Sequence, residues 1–283
     1  MILPVTTTVN NEELAVFYKH NVKECNIHLL TDDLEMKNIK HTLQRLRNFP
    51  FKVVSFHTPA FDRDTYFCIE HICIDHRMGD ALKKIEYLCQ ELNICVPVVV
   101  HSSLEKEFLY QAERIAYSTD MVLSECPHII LCLENNINFP QLGHDFKEIP
   151  LMVPNLISAM NERMVSNVYS CLDICHANII HQLCALFHAN GVNDCEVPTV
   201  DDYINAFAPS CRLIHLANTG SWGVKTGHGI GFNGAEVNKL RNLLIKLTDK
   251  MPKAKVVLEV SESDYVNRPN VDMTLKTLSG LEV

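Results

Sequence analysis

Histidines and carboxylates recur where short apolar runs end. His57 follows Val53-Val54-Ser55-Phe56, His101 follows Val98-Val99-Val100, and Glu134 follows Leu131-Cys132-Leu133. Asp173 and His176 share the segment Cys171-Leu172-Asp173-Ile174-Cys175-His176, His215 follows Leu213-Ile214, and Glu259 follows Val256-Val257-Leu258. His228 stands in the glycine-rich stretch Lys225-Thr226-Gly227-His228-Gly229-Ile230-Gly231. One such residue near a strand end is an ordinary core or loop residue, whereas repetition along successive runs points to a shared site. Carboxylates gathered at one place repel one another and are costly to take out of water. A divalent cation removes that cost, and imidazole nitrogens mixed with carboxylate oxygens suit Zn²⁺ first and Mn²⁺ second.

The elements that would position these residues alternate along the chain. Nearly continuous apolar runs, as expected of parallel strands buried on both faces, cover 2–6, 24–30, 51–57, 96–101, 128–134, 170–175, 211–217 and 255–260. Between them, helical patterns cover 12–22, 34–47, 80–92, 104–119, 156–167, 179–189, 235–250 and 271–281. In the third helical pattern Leu82, Ile85, Leu88, Cys89 and Leu92 form one stripe. This alternation predicts a single-domain α/β protein, a closed (β/α)8 TIM barrel over 1–283, with its chemistry at the C-terminal ends of the strands. Pro4 interrupts the first run. No linker, internal repeat or low-complexity tract divides the chain, and 135–150 and 191–198 read as loops between a strand and a helix.

Composition narrows the class. Of 283 residues, 47% are hydrophobic and 21% charged, which excludes a disordered or fibrous chain. No apolar run approaches the length of a membrane span. The stretch 1–14 lacks the basic and apolar regions of a secretion signal. The 12 cysteines are scattered with no C-x-x-C pair, so they read as reduced, mostly buried thiols of a cytoplasmic protein. A net charge of -9 argues against a broad cationic face, though not against a local basic groove.

The arrangement His57-Thr58-Pro59, Val100-His101, Leu133-Glu134-Asn135, Leu172-Asp173-Ile174-Cys175-His176-Ala177, His215-Leu216-Ala217-Asn218, His228-Gly229-Ile230-Gly231 and Leu258-Glu259 resembles the xylose isomerase-like TIM barrels. Within that superfamily it looks most like a divergent endonuclease IV, the metal-dependent apurinic/apyrimidinic endonuclease, over about 51–260. The resemblance implies that Glu134, Asp173, His215 and Glu259 hold the metal shared by the superfamily. It implies a second metal on His57 and His101 with Glu134 bridging, and a third on His176 and His228. That gives one to three ions. The chain also departs from the pattern. Lys225-Thr226-Gly227 stands where the family has an aspartate two residues before the last histidine, the first run lacks the family's histidine, and Ser102-Ser103-Leu104 replaces a Gly-Ser-His. The arginine typical of sugar epimerases after the seventh strand is missing, with Ser221 and Trp222 in that region.

Two activities and a third reading follow. With two or more metals the resemblance implies phosphodiester hydrolysis at abasic sites in DNA, recognised by distortion and an extruded sugar. With the four-residue metal alone it implies isomerisation or epimerisation of a small sugar, Glu134 and Glu259 moving the proton on either face. A barrel that binds without turnover is the third. Arg63 and Trp222 are candidate substrate contacts, on a phosphate backbone and on a base or sugar face respectively. Cys175 reads as a packed thiol rather than a nucleophile. The glycine-rich stretch fits neither a P-loop nor a dinucleotide fingerprint.

Overall fold

Short strands rich in Val, Ile and Leu bury both faces, and here they close on themselves in parallel. A computed structural model describes residues 3–9, 14–62, 65–102, 111–137, 146–163, 165–191, 196–220, 228–262, 264 and 266–281. The barrel strands are β1 (Val5–Thr7), β2 (Glu24–His28), β3 (Lys52–His57), β4 (Val96–His101), β5 (Ile129–Glu134), β6 (Val168–Asp173), β7 (Cys211–Leu216) and β8 (Lys255–Leu258). They follow one another in chain order, and β1 pairs with both β2 and β8. The expected (β/α)8 barrel is therefore the fold.

The helices are α1 (Ala15–Lys19), α2 (Ile39–Arg47), α3 (Arg77–Leu92), α4 (Ala112–Ser124), α5 (Met152–Glu162), α6 (Ile174–Ala189), α7 (Val200–Phe207), α8 (Val237–Lys250) and α9 (Pro269–Ser279). In α3 the stripe Met78, Ala81, Leu82, Ile85, Leu88 and Cys89 is buried, and the helix stops where Asn93 turns left-handed at φ 51°. None of the described helices is long and apolar enough to cross a membrane.

Some boundaries differ from those read in the sequence. β2 ends at His28 rather than at residue 30, and β6 ends at Asp173 because that residue already caps α6. The expected helix over 104–119 is α4, shifted toward its C-terminal side, with 103–110 outside the described residues. α7 was not foreseen. Its signal is a capping box, in which the Asp202 amide donates to Thr199 Oγ1 (3.3 Å) and the Thr199 amide to the Asp202 carboxylate (2.7 Å), followed by buried Tyr203, Ile204 and Phe207. A two-residue hairpin pair, Phe61–Asp62 with Thr65–Tyr66, also lies beyond β3.

Side chains alternate across each strand, so the inward positions come in layers. One layer holds Val99, Cys132, Cys171, Leu213 and Val257, a buried apolar cluster contributed by β4 to β8. On β2 and β3 the same layer is polar: Ser55 Oγ donates to Asn26 Oδ1 (2.7 Å) and Asn26 Nδ2 to Thr6 Oγ1 (3.2 Å). Two residues further along β2 to β8, the next inward positions are His28, His57, His101, Glu134, Asp173, His215 and Glu259. All are histidines or carboxylates.

Candidate metal centre

Across neighbouring strands His28 pairs with His57, His101 with Glu134 and Asp173 with His215, whereas His57 pairs with Val99 and Glu134 with Cys171, the stagger by which tilted strands close a barrel. Glu259 follows β8 directly, its amide donating to Leu216 O (3.1 Å). Glu134 lies at the centre, 1% exposed, and its two oxygens face different partners. Oε2 is 3.1 Å from His57 Nε2 and 3.2 Å from His101 Nε2, whereas Oε1 is 2.5 Å from His215 Nδ1. The same His215 Nδ1 contacts the Glu259 carboxylate.

Hydrogen bonds fix which nitrogens face inward. The Thr58 carbonyl lies 2.6 Å from His57 Nδ1 and the Asn135 carbonyl 2.7 Å from His176 Nδ1, and a carbonyl can only accept. Both rings therefore carry a proton on Nδ1 and turn Nε2 into the site, the arrangement in which a histidine binds a metal. Asn135 also brackets Asp173 through backbone bonds of 2.9 and 2.7 Å. Asp173 Oδ1 accepts the His176 amide at 2.6 Å, so carboxylate and imidazole are held by one helix start. His176 Nε2 in turn faces His228 Nε2 at 2.8 Å.

His228 is carried back to the barrel by backbone pairing. Asn218 and Ile230 exchange hydrogen bonds of 2.8 and 2.9 Å, and the Ser261 amide donates to Gly229 O (2.8 Å). Gly229 has φ +72°, and a Cβ there would lie 2.4 Å from Ser261 Oγ, so glycine is required. Its amide donates to Cys175 Sγ at 3.2 Å, which gives that buried thiol a packing and acceptor role.

The electrostatics are those of charge crowded into a dry place. Burial pushes against ionisation of Glu134, yet His215 and His57 hold its pKa well below the carboxylate range. Burial likewise opposes charge on Glu259, and His215 overrides it, bringing the pKa down to about 2. Asp173 goes the other way: burial together with the fields of Glu134 and Glu259 raises it, against the pull of His176. Burial and the neighbouring His57 lower His101 to about 3 and His28 to about 4.

Two groups have the chemistry of a cation site. In Glu134, Asp173, His215 and Glu259 the ligand atoms all lie within 4.8 Å of one another, and so do those of His57, Glu134 and His215. With His57 Nδ1 protonated, the contact between its Nε2 and the Glu134 carboxylate needs a positive charge, which either a second ring proton, favoured by the Glu134 charge that raises the His57 pKa against burial, or a divalent cation would supply. The donor set therefore fits a divalent cation, with all ligands nitrogen or carboxylate oxygen.

The structure thus brings together His57, His101, Glu134, Asp173, His215 and Glu259, and sets His176 and His228 as a neighbouring imidazole pair. Arg63 and Trp222, the expected substrate contacts, and Lys225-Thr226-Gly227 lie outside the described residues. His28 escaped the sequence reading because the run was carried on to residue 30. Counting inward positions in steps of two from Asn26 would have found it. The ring of Tyr66, from the hairpin, lies 5.4 Å from that of His101, and its hydroxyl accepts from Asn136 Nδ2.

No family model matches the sequence, and no curated protein matches it. Solved structures do. A xylose isomerase domain protein from Planctomyces limnophilus superposes with a TM-score of 0.65 over 98% of this chain and 96% of its own, at 14% identity. Endonuclease IV from Thermus thermophilus gives 0.58 over 99% and 100%, at 15% identity. The 3-keto-D-glucoside 4-epimerase from E. coli gives 0.57 over 99% and 98%, at 13% identity. The chain has the fold of the xylose isomerase-like TIM barrels. Endonuclease IV is among the proteins that share it, and the low identities fit a divergent sequence.

Proposed function

We propose that this protein is a divalent-metal-dependent hydrolase that cleaves phosphodiester bonds at abasic sites in DNA. The observation that carries the reading is the division of Glu134: Oε2 faces His57 and His101, while Oε1 faces His215 beside Asp173 and Glu259. One carboxylate then serves two ligand sets, and an isomerase that needs one metal has no use for the pair on β3 and β4.

Glu134, Asp173, His215 and Glu259 would hold one ion, and His57 and His101 a second with Glu134 shared. His176 and His228 would hold a third, in a set that lacks the family's aspartate. Zinc suits the imidazole-rich side. Bound there, divalent ions supply Lewis acidity to the entering and leaving oxygens of an in-line displacement. The chain's own residues prepare that site. Thr58 and Asn135 orient imidazoles through their carbonyls, Asn135 fixes Asp173, and burial of Glu134 excludes water from the shared ligand.

The second reading, a sugar isomerase or epimerase, is favoured by the compactness of the four-residue set, which by itself suffices for one ion between two glutamates. Metal content per chain, measured on protein purified without chelators, separates the two. Two or three equivalents, with cleavage of a duplex carrying a single abasic site, is the expected result. One equivalent, no cleavage and turnover of a small ketose would replace the hydrolase with the isomerase.

A further inference from the structure

His28 belongs to the inward layer of the barrel and to none of the cation groups. It ends β2, pairs in register with His57, and its ring lies nearly parallel to that of His57 at 4.8 Å and 13°. Stacking fixes its plane, and its position at the strand end leaves it partly exposed at the rim. Its ligand atoms join neither the His57, Glu134, His215 group nor the Glu134, Asp173, His215, Glu259 group.

A histidine kept only for packing would satisfy its ring nitrogens from the layer below. Here that layer is closed to it. Ser55 donates to Asn26 and Asn26 to Thr6, so the polar rung under His28 is spent on itself. His57 is equally committed, with Nδ1 on Thr58 O and Nε2 on Glu134. Among the described residues no hydrogen-bond partner of the His28 ring is found. His101 Nδ1 also lacks a partner, but that atom is sealed in the interior, whereas His28 is partly exposed. A ring that is oriented, partly exposed, unpartnered and level with the ligand layer has the attributes of a substrate contact.

We propose that His28 is a substrate-binding residue, donating a hydrogen bond from its ring N–H to a phosphate oxygen seated beside His57 and His101. The inference rests on the phosphodiesterase reading and adds to it a specificity residue on the β2 side of the mouth. A bond to a charged oxygen is stronger than one between neutral groups, and its loss weakens anion binding about tenfold or more.

The test uses the zinc-loaded full chain and inorganic phosphate as the probe, titrated by calorimetry, with His28→Phe and His28→Gln beside the parent. Phe keeps a ring to stack on His57 but has no nitrogen, while Gln keeps an N–H. The expected result is phosphate affinity down about tenfold in His28→Phe and within about threefold of the parent in His28→Gln, with zinc content and melting temperature unchanged in both. Phosphate affinity within about twofold of the parent in His28→Phe, or no phosphate binding by the parent, overturns the inference. Loss of zinc from His28→Phe overturns it too, since His28 would then support the metals. Cleavage of an abasic-site duplex by the parent is scored separately. Phosphate binding that depends on His28 without cleavage leaves the inference standing and removes the endonuclease, and cleavage with phosphate binding indifferent to His28 does the reverse.

Discussion

Replacing Glu134 by glutamine probes the centre at its shared point. Glutamine keeps the volume and one acceptor oxygen but removes the charge that faces His57, His101 and His215 at 2.5 to 3.2 Å. Because one oxygen faces each proposed ligand set, one set would lose its Glu134 ligand outright and the other would keep only a neutral amide oxygen. Zinc at about a hundred times its dissociation constant stabilises a folded protein by about 2.7 kcal/mol per site. Two sites sharing Glu134 give about 5 kcal/mol, which for a chain of this size raises the melting temperature by about 10 °C. The assay is a pair of thermal scans, with chelator and with excess zinc, on parent and variant, together with elemental analysis of each. Scoring the difference within each protein cancels the cost of the substitution to the metal-free fold. The parent is expected to shift by about 10 °C and hold at least two equivalents, and Glu134→Gln to shift by less than about 3 °C. A glutamine variant that holds two equivalents with the parent's shift would refute the bridging role.

Further outcomes can be checked alongside. The double variant His57→Ala, His101→Ala is expected to keep one metal equivalent and to lose abasic-site cleavage by at least about a hundredfold, read by gel assay; an isomerase would keep most of its rate. Gly229→Ala puts a Cβ 2.8 Å from the Ser261 backbone nitrogen at a left-handed φ, and is expected to destabilise by more than about 2 kcal/mol in urea and to lower metal content by displacing His228. On the outside of the barrel, Asp272 accepts from Lys19 (2.6 Å), His20 (2.7 Å) and Lys276 (2.6 Å), and His20, Lys19 and Lys276 hold its pKa far below the carboxylate range. A folded pKa below the unfolded one stabilises above about pH 4, and that contribution fades as pH falls toward the folded value. Asp272→Asn is therefore expected to cost about 1 kcal/mol at about pH 7 and progressively less below about pH 4, measured by urea denaturation at both ends.

Much of this molecule was legible in its sequence because the barrel strands are short, apolar and regularly spaced. The residues at their ends were legible too, since a histidine after Val98-Val99-Val100 or a glutamate after Leu131-Cys132-Leu133 breaks an otherwise apolar run. His28 was obscured for the opposite reason: Leu29 and Leu30 continue the run past the strand, and apolar character alone does not say where hydrogen bonding stops. The β6 boundary is hidden in the same way, because Ile174 and Cys175 look like strand while Asp173 already caps a helix. The role of Asn135 could not be read at all, since it depends on the neighbouring strand presenting the Asp173 backbone to its amide.

The junction of β6 and α6 bears on how such a barrel can be altered. Strand becomes helix at consecutive residues, Asp173 and Ile174, so nothing inserted there would leave the Asp173 carboxylate on the His176 amide. By contrast, His101 and Ala112 bound a long connection between β4 and α4, and Leu216 and Val237 bound another between β7 and α8. Grafted segments, whether acquired in evolution or built by design, are tolerated best in long connections between elements. Recognition of a new substrate would accordingly be tailored through the β4 and β7 connections, while the β6 edge stays the fixed hinge pin about which the rest of the mouth is refashioned.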